Sequence, residues 1–444
     1  QRAAGFIPAV CTEEFMQRRL RFLLALLLPS LAILPASAQT PKSAEAVAAT
    51  VETTLSTGSG QIRQFAFDGD PNTYFASTQN AGSKDHFTLL FDRAVTVKSI
   101  AVTTGRPKGG DPLDAGILEV SADGKQFTEL AKFADGVARA KPDGRQIRAV
   151  RIKPSADLKH PLAIREFVID STPPVALFRY PVEFVVNVED APEMREWAEK
   201  VARLCERWYP RINDELPSEG FKPPTVVTMS LKTSYKGVAA AGGGRITGSV
   251  AYFKKRPDDV GAMIHETVHI VQRYRTRNNP GWLVEGIADY IRFFKYEPGK
   301  LKPLTPERAR YDGSYRVSAA FLGYLTEKYD KEIVRKLNKA MREGEYKEDL
   351  FKVLTKKTLK ELGEEWRASL RRAAASAEKL KERVLRSEAR GLRIEDRGLR
   401  IEDRARFQFS IFDPRSSICG VDIPLSPGET GSCDDDFSDP RVSC

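Results

Sequence analysis

The sequence predicts two domains of different class, an all-β sandwich or barrel followed by an α+β domain. Between residues 40 and 170, short runs rich in β-branched and aromatic residues alternate with turn signals such as Asp68-Gly69-Asp70-Pro71, Ala122-Asp123-Gly124-Lys125 and Pro142-Asp143-Gly144. Many short strands at regular spacing build a sandwich or barrel. After Ser171-Thr172-Pro173-Pro174 the apolar spacing turns helical. The chain has 444 residues, 41% apolar and 29% charged, which is room for two or three domains of soluble globular composition.

Within the first domain, 45–170, strands are expected at 87–91, 95–103, 117–120, 127–130, 150–152 and 164–169. Residues 171–177 form a linker, because paired prolines continue neither a ladder nor a helix. The second domain, 178–376, opens with a strand at 184–188 and a helix ending near Trp208, for which Asp190 is the expected N-cap. Its stripe of Met194, Trp197, Ala198, Val201, Leu204, Cys205 and Trp208 has helical spacing and makes Cys205 a buried apolar residue. Strands follow at 225–231 and 246–253. Helices then take over: around His265, around Glu285, at 318–329 and 333–342, and from Leu359 onward.

The two ends differ from the middle. Residues 1–15 lack an initiator Met and are expected to be a non-native leader. Residues 16–38 have the three-part layout of a signal peptide: Arg18, Arg19 and Arg21, an apolar run from Phe22 to Leu34, then Ala36-Ser37-Ala38. The mature protein is therefore expected to be secreted or periplasmic, with no transmembrane segment after cleavage. At the other end, 390–396 is repeated as 397–403 ahead of a Ser/Pro/Asp-rich stretch, and 385–444 is expected to be a disordered tail. Of the five Cys, only Cys205 lies in a region expected to fold, so a disulfide framework is not supported. The net charge of +10 favours acidic surfaces. No nucleic-acid recognition motif accompanies it, and nucleic acid is not an expected partner.

The chemistry is carried by His265-Glu266-Thr267-Val268-His269. On a helix, residues i and i+4 lie one turn apart on one face, so both imidazoles can meet one ion while Glu266 reaches an attacking water. A catalytic zinc site needs a third protein ligand and an open position. The chain has four His, and the other two, His86 and His160, fall in the first domain. The third ligand is therefore expected to be a carboxylate on a second helix. Glu285 supplies it, with Asp289 one turn later placed to hold a ligand His by its outer N–H. Gly286 is expected to let the two helices approach closely, and 270–284 has the length for one further helical turn and a Pro280-Gly281 reversal.

His265, Glu266 and His269 with Glu285 and Asp289 resemble the gluzincin metallopeptidases. The longer stretches 263–272 and 280–292, followed by Tyr311-Asp312-Gly313-Ser314-Tyr315 and Ala320-Phe321-Leu322, resemble the basic secretory protein family of plant and bacterial peptidases over about 178–372. The resemblance implies a zincin-like fold, zinc held by His265, His269 and Glu285, Glu266 as general base, and a protein or peptide substrate. A second donor for the developing oxyanion is expected at Tyr315, ahead of Tyr311, against ordinary packing as the plainer role. Residues 246–253 are expected to be the edge strand that pairs with substrate, with Gly242-Gly243-Gly244 either a flap or a plain hairpin turn.

In the first domain, the segment from Ala66 to Ser77 resembles the opening signature of discoidin (F5/8 type C) domains. The later stretches 87–92, 117–124 and 164–169 agree with it. The resemblance covers about 45–170 and implies an eight-stranded jelly roll that binds glycans or phospholipid head groups. Phe75 stands where the signature usually has Trp. Asp68, Asp70 and Thr73 offer oxygen ligands suited to Ca²⁺, although Asp-Gly-Asp-Pro is equally good turn chemistry without an ion. The expected function is thus an exported zinc peptidase with a binding module. The alternatives are a catalytically inactive carbohydrate-binding surface protein and a zinc amidase acting on cell-wall material.

Overall fold

A computed structural model of the chain describes residues 45–275 and 278–389. The expected leader, the signal-type segment and the repeat at 390–403 lie outside the described residues.

The first domain is an all-β jelly roll of eight antiparallel strands: β1 (Ala49–Thr53), β2 (Phe75–Asn80), β3 (Phe87–Thr104), β4 (Gly116–Ser121), β5 (Thr128–Lys132), β6 (Val137–Ala140), β7 (Gln146–Pro154) and β8 (Pro161–Thr172). The order is β2-β8-β3-β7-β4-β5, with β1 and β6 also on β3. The strands expected at 87–91 and 95–103 are one element. Exposed Asp92 and Arg93 interrupt the alternation where the register shifts between Leu90 and Val95. On one side of that shift β3 pairs with β1, and on the other with β8 and β6, so a single bent strand serves both layers. Phe75 is fully buried, 5.0 Å from the Phe87 ring, and Phe87 stacks on Phe167 at 5.9 Å.

The expected linker is tied down. β8 continues to Thr172, Val175 is buried and bridges to Val47, and the Phe178 amide donates to the Phe67 carbonyl.

The second domain pairs β9 (Glu183–Asn187), β10 (Val226–Lys232) and β12 (Arg245–Ser249) in parallel, and β11 (Ala239–Gly242) antiparallel to β12. Helix α1 (Arg195–Glu215) crosses between β9 and β10, burying Ala198, Val201, Ala202, Cys205, Tyr209 and Ile212 at helical spacing. Asp190 does not cap it. A 3₁₀ turn at Pro192–Met194 intervenes, and Asp190 pairs with Lys232 instead, at 2.9 Å. The helix also runs past Trp208 and Pro210 to Glu215.

The strand expected at 246–253 ends at Ser249, whose hydroxyl caps the short helix α2 (Val250–Lys255) by accepting from the Tyr252 amide. Nor is β12 an edge, since the sheet order is β11-β12-β10-β9. The edge on that side is β11, joined to β12 by a tight hairpin in which Gly243 and Gly244 both have positive φ. Gly242-Gly243-Gly244 is therefore a hairpin turn.

Helices α3 (Gly261–Gln272), α4 (Gly281–Tyr290), α5 (Tyr315–Lys328), α6 (Ile333–Glu343), α7 (Leu350–Thr355) and α8 (Leu359–Ala389) complete the domain. A wide π-type turn, Ile291–Tyr296, extends α4. Phe321 and Trp366 anchor α5 and the start of α8, and α8 stays helical past residue 385 to Ala389. Gly286 faces α5 instead of α3: a Cβ there would stand 2.7 Å from the Ser318 Cβ. The close approach it permits thus presses α4 onto α5. Gly286→Val is expected to cost about 1–3 kcal/mol in denaturant unfolding; an unchanged midpoint would show that α5 yields.

Candidate functional site

Helix α3 is apolar almost all round and buried along nearly its whole length, so the side chains it carries have little freedom. Its two histidines stand a turn apart with their rings 4.8 Å from each other. Glu285, on α4, brings Oε2 to 3.1 Å from His265 Nε2 and 3.3 Å from His269 Nε2, and the two Nε2 atoms are 3.1 Å apart. One ligand atom from each of the three residues lies within 4.8 Å of the others. Ligands held about 2.0–2.1 Å from a tetrahedral zinc stand about 3.3 Å from one another, so the donor set fits zinc in chemistry and spacing.

The outer nitrogens are tied off. His265 Nδ1 lies 2.7 Å from Asp289 Oδ1, the relation expected for Asp289. His269 Nδ1 lies 2.7 Å from Gln272 Oε1, while Gln272 Nε2 donates to the Val284 carbonyl at 2.9 Å. An amide oxygen only accepts, so His269 must carry its proton on Nδ1 and present Nε2. Sequence reasoning missed Gln272. The signal was there: it is three residues after His269 on the same face, and a second ligand histidine calls for its own partner.

The electrostatics favour a cation at this point. Burial opposes charge on His265, but Asp289 and Glu285 outweigh it and raise its pKa to about 10. Burial likewise opposes ionisation of Glu285, yet the two imidazoles hold it well below the usual carboxylate range. Glu266 is 7% exposed, and burial pushes its carboxyl upward, with the histidines acting against this.

Tyr315 stacks on His265, ring centroids 6.0 Å apart and planes at 25°, and remains half exposed. It and Ser314 both have positive φ, +47° and +61°, which for a bulky side chain is strained backbone of the kind that gathers at functional sites. Tyr311 goes elsewhere, into an aromatic cluster with Trp282 and Phe321.

In the β-domain, the Thr73 hydroxyl lies 2.9 Å from both Asp68 oxygens, and the Asp70 amide donates to Asp68 Oδ1. Asp70 turns outward and accepts from Asn72. The residue not foreseen is Glu166, which is 8% exposed with both carboxylate oxygens buried and unpartnered. Burial, with Asp68 nearby, pushes its pKa up to about 8. A charged residue among apolar neighbours on a core strand was the available signal.

If Gln272 sets the presented nitrogen, Gln272→Leu is expected to weaken zinc binding roughly 10- to 100-fold by competition titration. Gln272→Glu, which keeps an acceptor, is expected to bind at least as tightly as the native chain. Equal affinity for all three would remove that role.

No curated protein matches the chain. Among solved structures, the N-terminal region is similar to the first family 32 carbohydrate-binding module of a family 31 glycoside hydrolase from Clostridium perfringens, at 21% identity, covering 27% of this chain and 91% of that one, with a TM-score of 0.24. It is also similar to the family 32 module of NanJ from the same organism, in complex with galactose, at 17% identity, 27% and 92% coverage and a TM-score of 0.24. Residues 182–366, which enclose His265, His269, Glu285 and the partners of both histidines, match the BSP family, described as a peptidase of plants and bacteria.

Proposed function

We propose that the chain is an exported zinc-dependent peptidase carried with a glycan-binding module. The observation that carries this reading is the convergence of His265 Nε2, His269 Nε2 and a Glu285 oxygen, with both outer nitrogens occupied. The family match over 182–366 supports a peptide bond as the target. Export rests on the signal-type segment at 16–38; among the described residues, no helix is long and apolar enough to cross a membrane.

Bound zinc would polarise the scissile carbonyl and make water a stronger acid. The protein's own groups do the rest. His265, His269 and Glu285 hold the ion, and Asp289 and Gln272 fix the ring orientations. Glu266 takes a proton from the attacking water and passes it to the leaving amine, a task helped by the burial that raises its proton affinity. Tyr315 donates to the oxyanion that develops on the carbonyl. An extended substrate pairs with the free edge of β11, whose backbone lies beside α3.

For the β-domain, the discoidin resemblance favours a glycan. A half-exposed cluster supplies suitable groups: the Arg106 guanidinium lies 5.8 Å from the Tyr74 ring centroid and bonds Asp111 at 2.6 Å, with His160 3.9 Å from Asp111. Calcium at Asp68, Thr73 and Glu166 is favoured over plain turn chemistry by the unpartnered Glu166 oxygens.

Purified chain is expected to hold one zinc by elemental analysis and to cleave a peptide library. Glu266→Gln should lower the rate roughly 10²–10⁴-fold with zinc retained. Zinc without cleavage of peptide or peptidoglycan would point to the inactive binding protein, and cleavage of peptidoglycan alone to an amidase. Tyr315→Phe is expected to reduce kcat about 10²–10³-fold with little change in KM; an unchanged kcat would return Tyr315 to cleft packing.

A further inference from the structure

The 3₁₀ turn Arg63–Phe67, between β1 and β2, sits where the two domains meet. The Arg63 side chain is largely buried, with Nη2 3.1 Å from Glu206 Oε1 on α1 and Nε 3.4 Å from Glu183 Oε1 on β9. The Arg63 amide and the Thr57 hydroxyl both donate to Glu183 Oε2. Gln64 Oε1 accepts from the Val182 amide at 2.9 Å, and Phe67 meets Phe178 edge-on, ring centroids 6.0 Å apart. Gly69 is so close to Leu177 that a Cβ would stand 3.0 Å from its methyl.

The same stretch of chain runs directly on into Asp68 and Thr73. One short segment therefore faces two ways: Arg63 and Gln64 contact the peptidase domain at Glu183, Glu206 and Val182, Phe67 and Gly69 meet Phe178 and Leu177 at the junction, and Asp68 lies near enough to Glu166 to act on its charge. On its far side, Glu206 follows Cys205, which packs beneath Met263 on the metal helix α3. In between there is no flexible spacer to absorb a displacement.

We infer that a divalent, oxygen-seeking cation held by Asp68 and Glu166 braces the domain junction, so that its binding stabilises the peptidase domain as well as the β-domain. The inference rests on the calcium reading above. Asp68, half-buried, and Glu166, buried without a hydrogen-bond partner, bring two carboxyl groups into one neighbourhood, and a cation held by both would cross-link β8 and the turn. Holding Asp68 holds Phe67 and Arg63. Arg63 in turn pairs with buried Glu183, which the Thr57 hydroxyl also holds, and shares Glu206 with Arg203 of α1. Loosening the turn therefore strips buried Glu183 of its cation at the start of the peptidase domain.

The molecule contains its own reporter. All four Trp, at 197, 208, 282 and 366, lie in the peptidase domain, so tryptophan fluorescence follows that domain alone. Zinc-loaded full-length chain prepared without calcium is titrated with calcium chloride while thermal unfolding is read by tryptophan emission, and calcium binding is measured separately by calorimetry. The native chain is expected to show a tryptophan midpoint raised by at least about 3 °C at a hundredfold excess over the dissociation constant. Glu166→Gln should lose both the binding heat and the shift. Arg63→Ala should keep the binding heat and lose the shift. If Arg63→Ala does not fold, Gln64→Leu, which removes only the acceptor for Val182, should show a reduced shift at unchanged calcium affinity. Calcium binding to the native chain without any tryptophan shift overturns the brace and leaves the calcium site standing. No binding heat at all overturns the calcium reading and the brace together.

Discussion

Three side chains aimed at one point, His265 buried and His269 and Glu285 partly so, are the constraint on which the second domain depends. Two imidazoles and a carboxylate are costly to remove from water, and more so when their geometry is fixed. The chain meets that cost on several sides. Asp289 and Gln272 bond the outer imidazole nitrogens. Arg342, itself buried on α6, reaches the carbonyls of Val271 and Gln272 and so closes the C-terminal end of α3. At the other end, Arg292 bridges Asp259 and Glu297, and a side chain in place of Gly261 would have to displace that pair. Helix α4, which supplies Glu285 and Asp289, is pressed from behind by α5 through Gly286. The groups that converge at this point are thus held by others whose own positions are fixed.

That arrangement explains how much of the site could be read from the sequence. Helical spacing is local, so His265, Glu266 and His269 fell on one element with their relation already determined. Scarcity of histidine then pointed to Glu285 as the third group, and the same one-turn spacing carried Asp289 along. Gln272 shares that local spacing, three residues after His269, but its orientation is fixed only by a tertiary bond to the Val284 carbonyl. Arg342 is seventy residues from the carbonyls it holds, and nothing in its surroundings marks it. Glu166 is a similar case: its unpaired burial is visible only once β8 and the turn at Asp68 are in place.

The fold shows the same division. Alternation and turn signals located most strands of the jelly roll, but the split at Asp92 concealed that 87–104 is one strand. Local pattern also made 246–253 uniform, when Ser249 ends the strand by capping a helix and the Gly243-Gly244 turn hands the sheet edge to β11. The paired prolines suggested a free linker. In the folded chain, Val175 and Phe178 lie against the β-domain, and Arg63 reaches across to Glu183 and Glu206. The two domains are joined by buried charge, and a ligand on one is therefore placed to influence the other.

On the proposed reading, two histidines and one carboxylate hold the ion, with no further protein ligand among the described residues. Zinc-edge X-ray absorption on the metal-loaded chain measures this directly. The account predicts two imidazole nitrogens at about 2.0–2.1 Å and light oxygen scatterers for the remainder of a four-coordinate shell, with one imidazole lost in His269→Ala. A sulfur shell at about 2.3 Å, a third imidazole, or a spectrum unaffected by His269→Ala would contradict it.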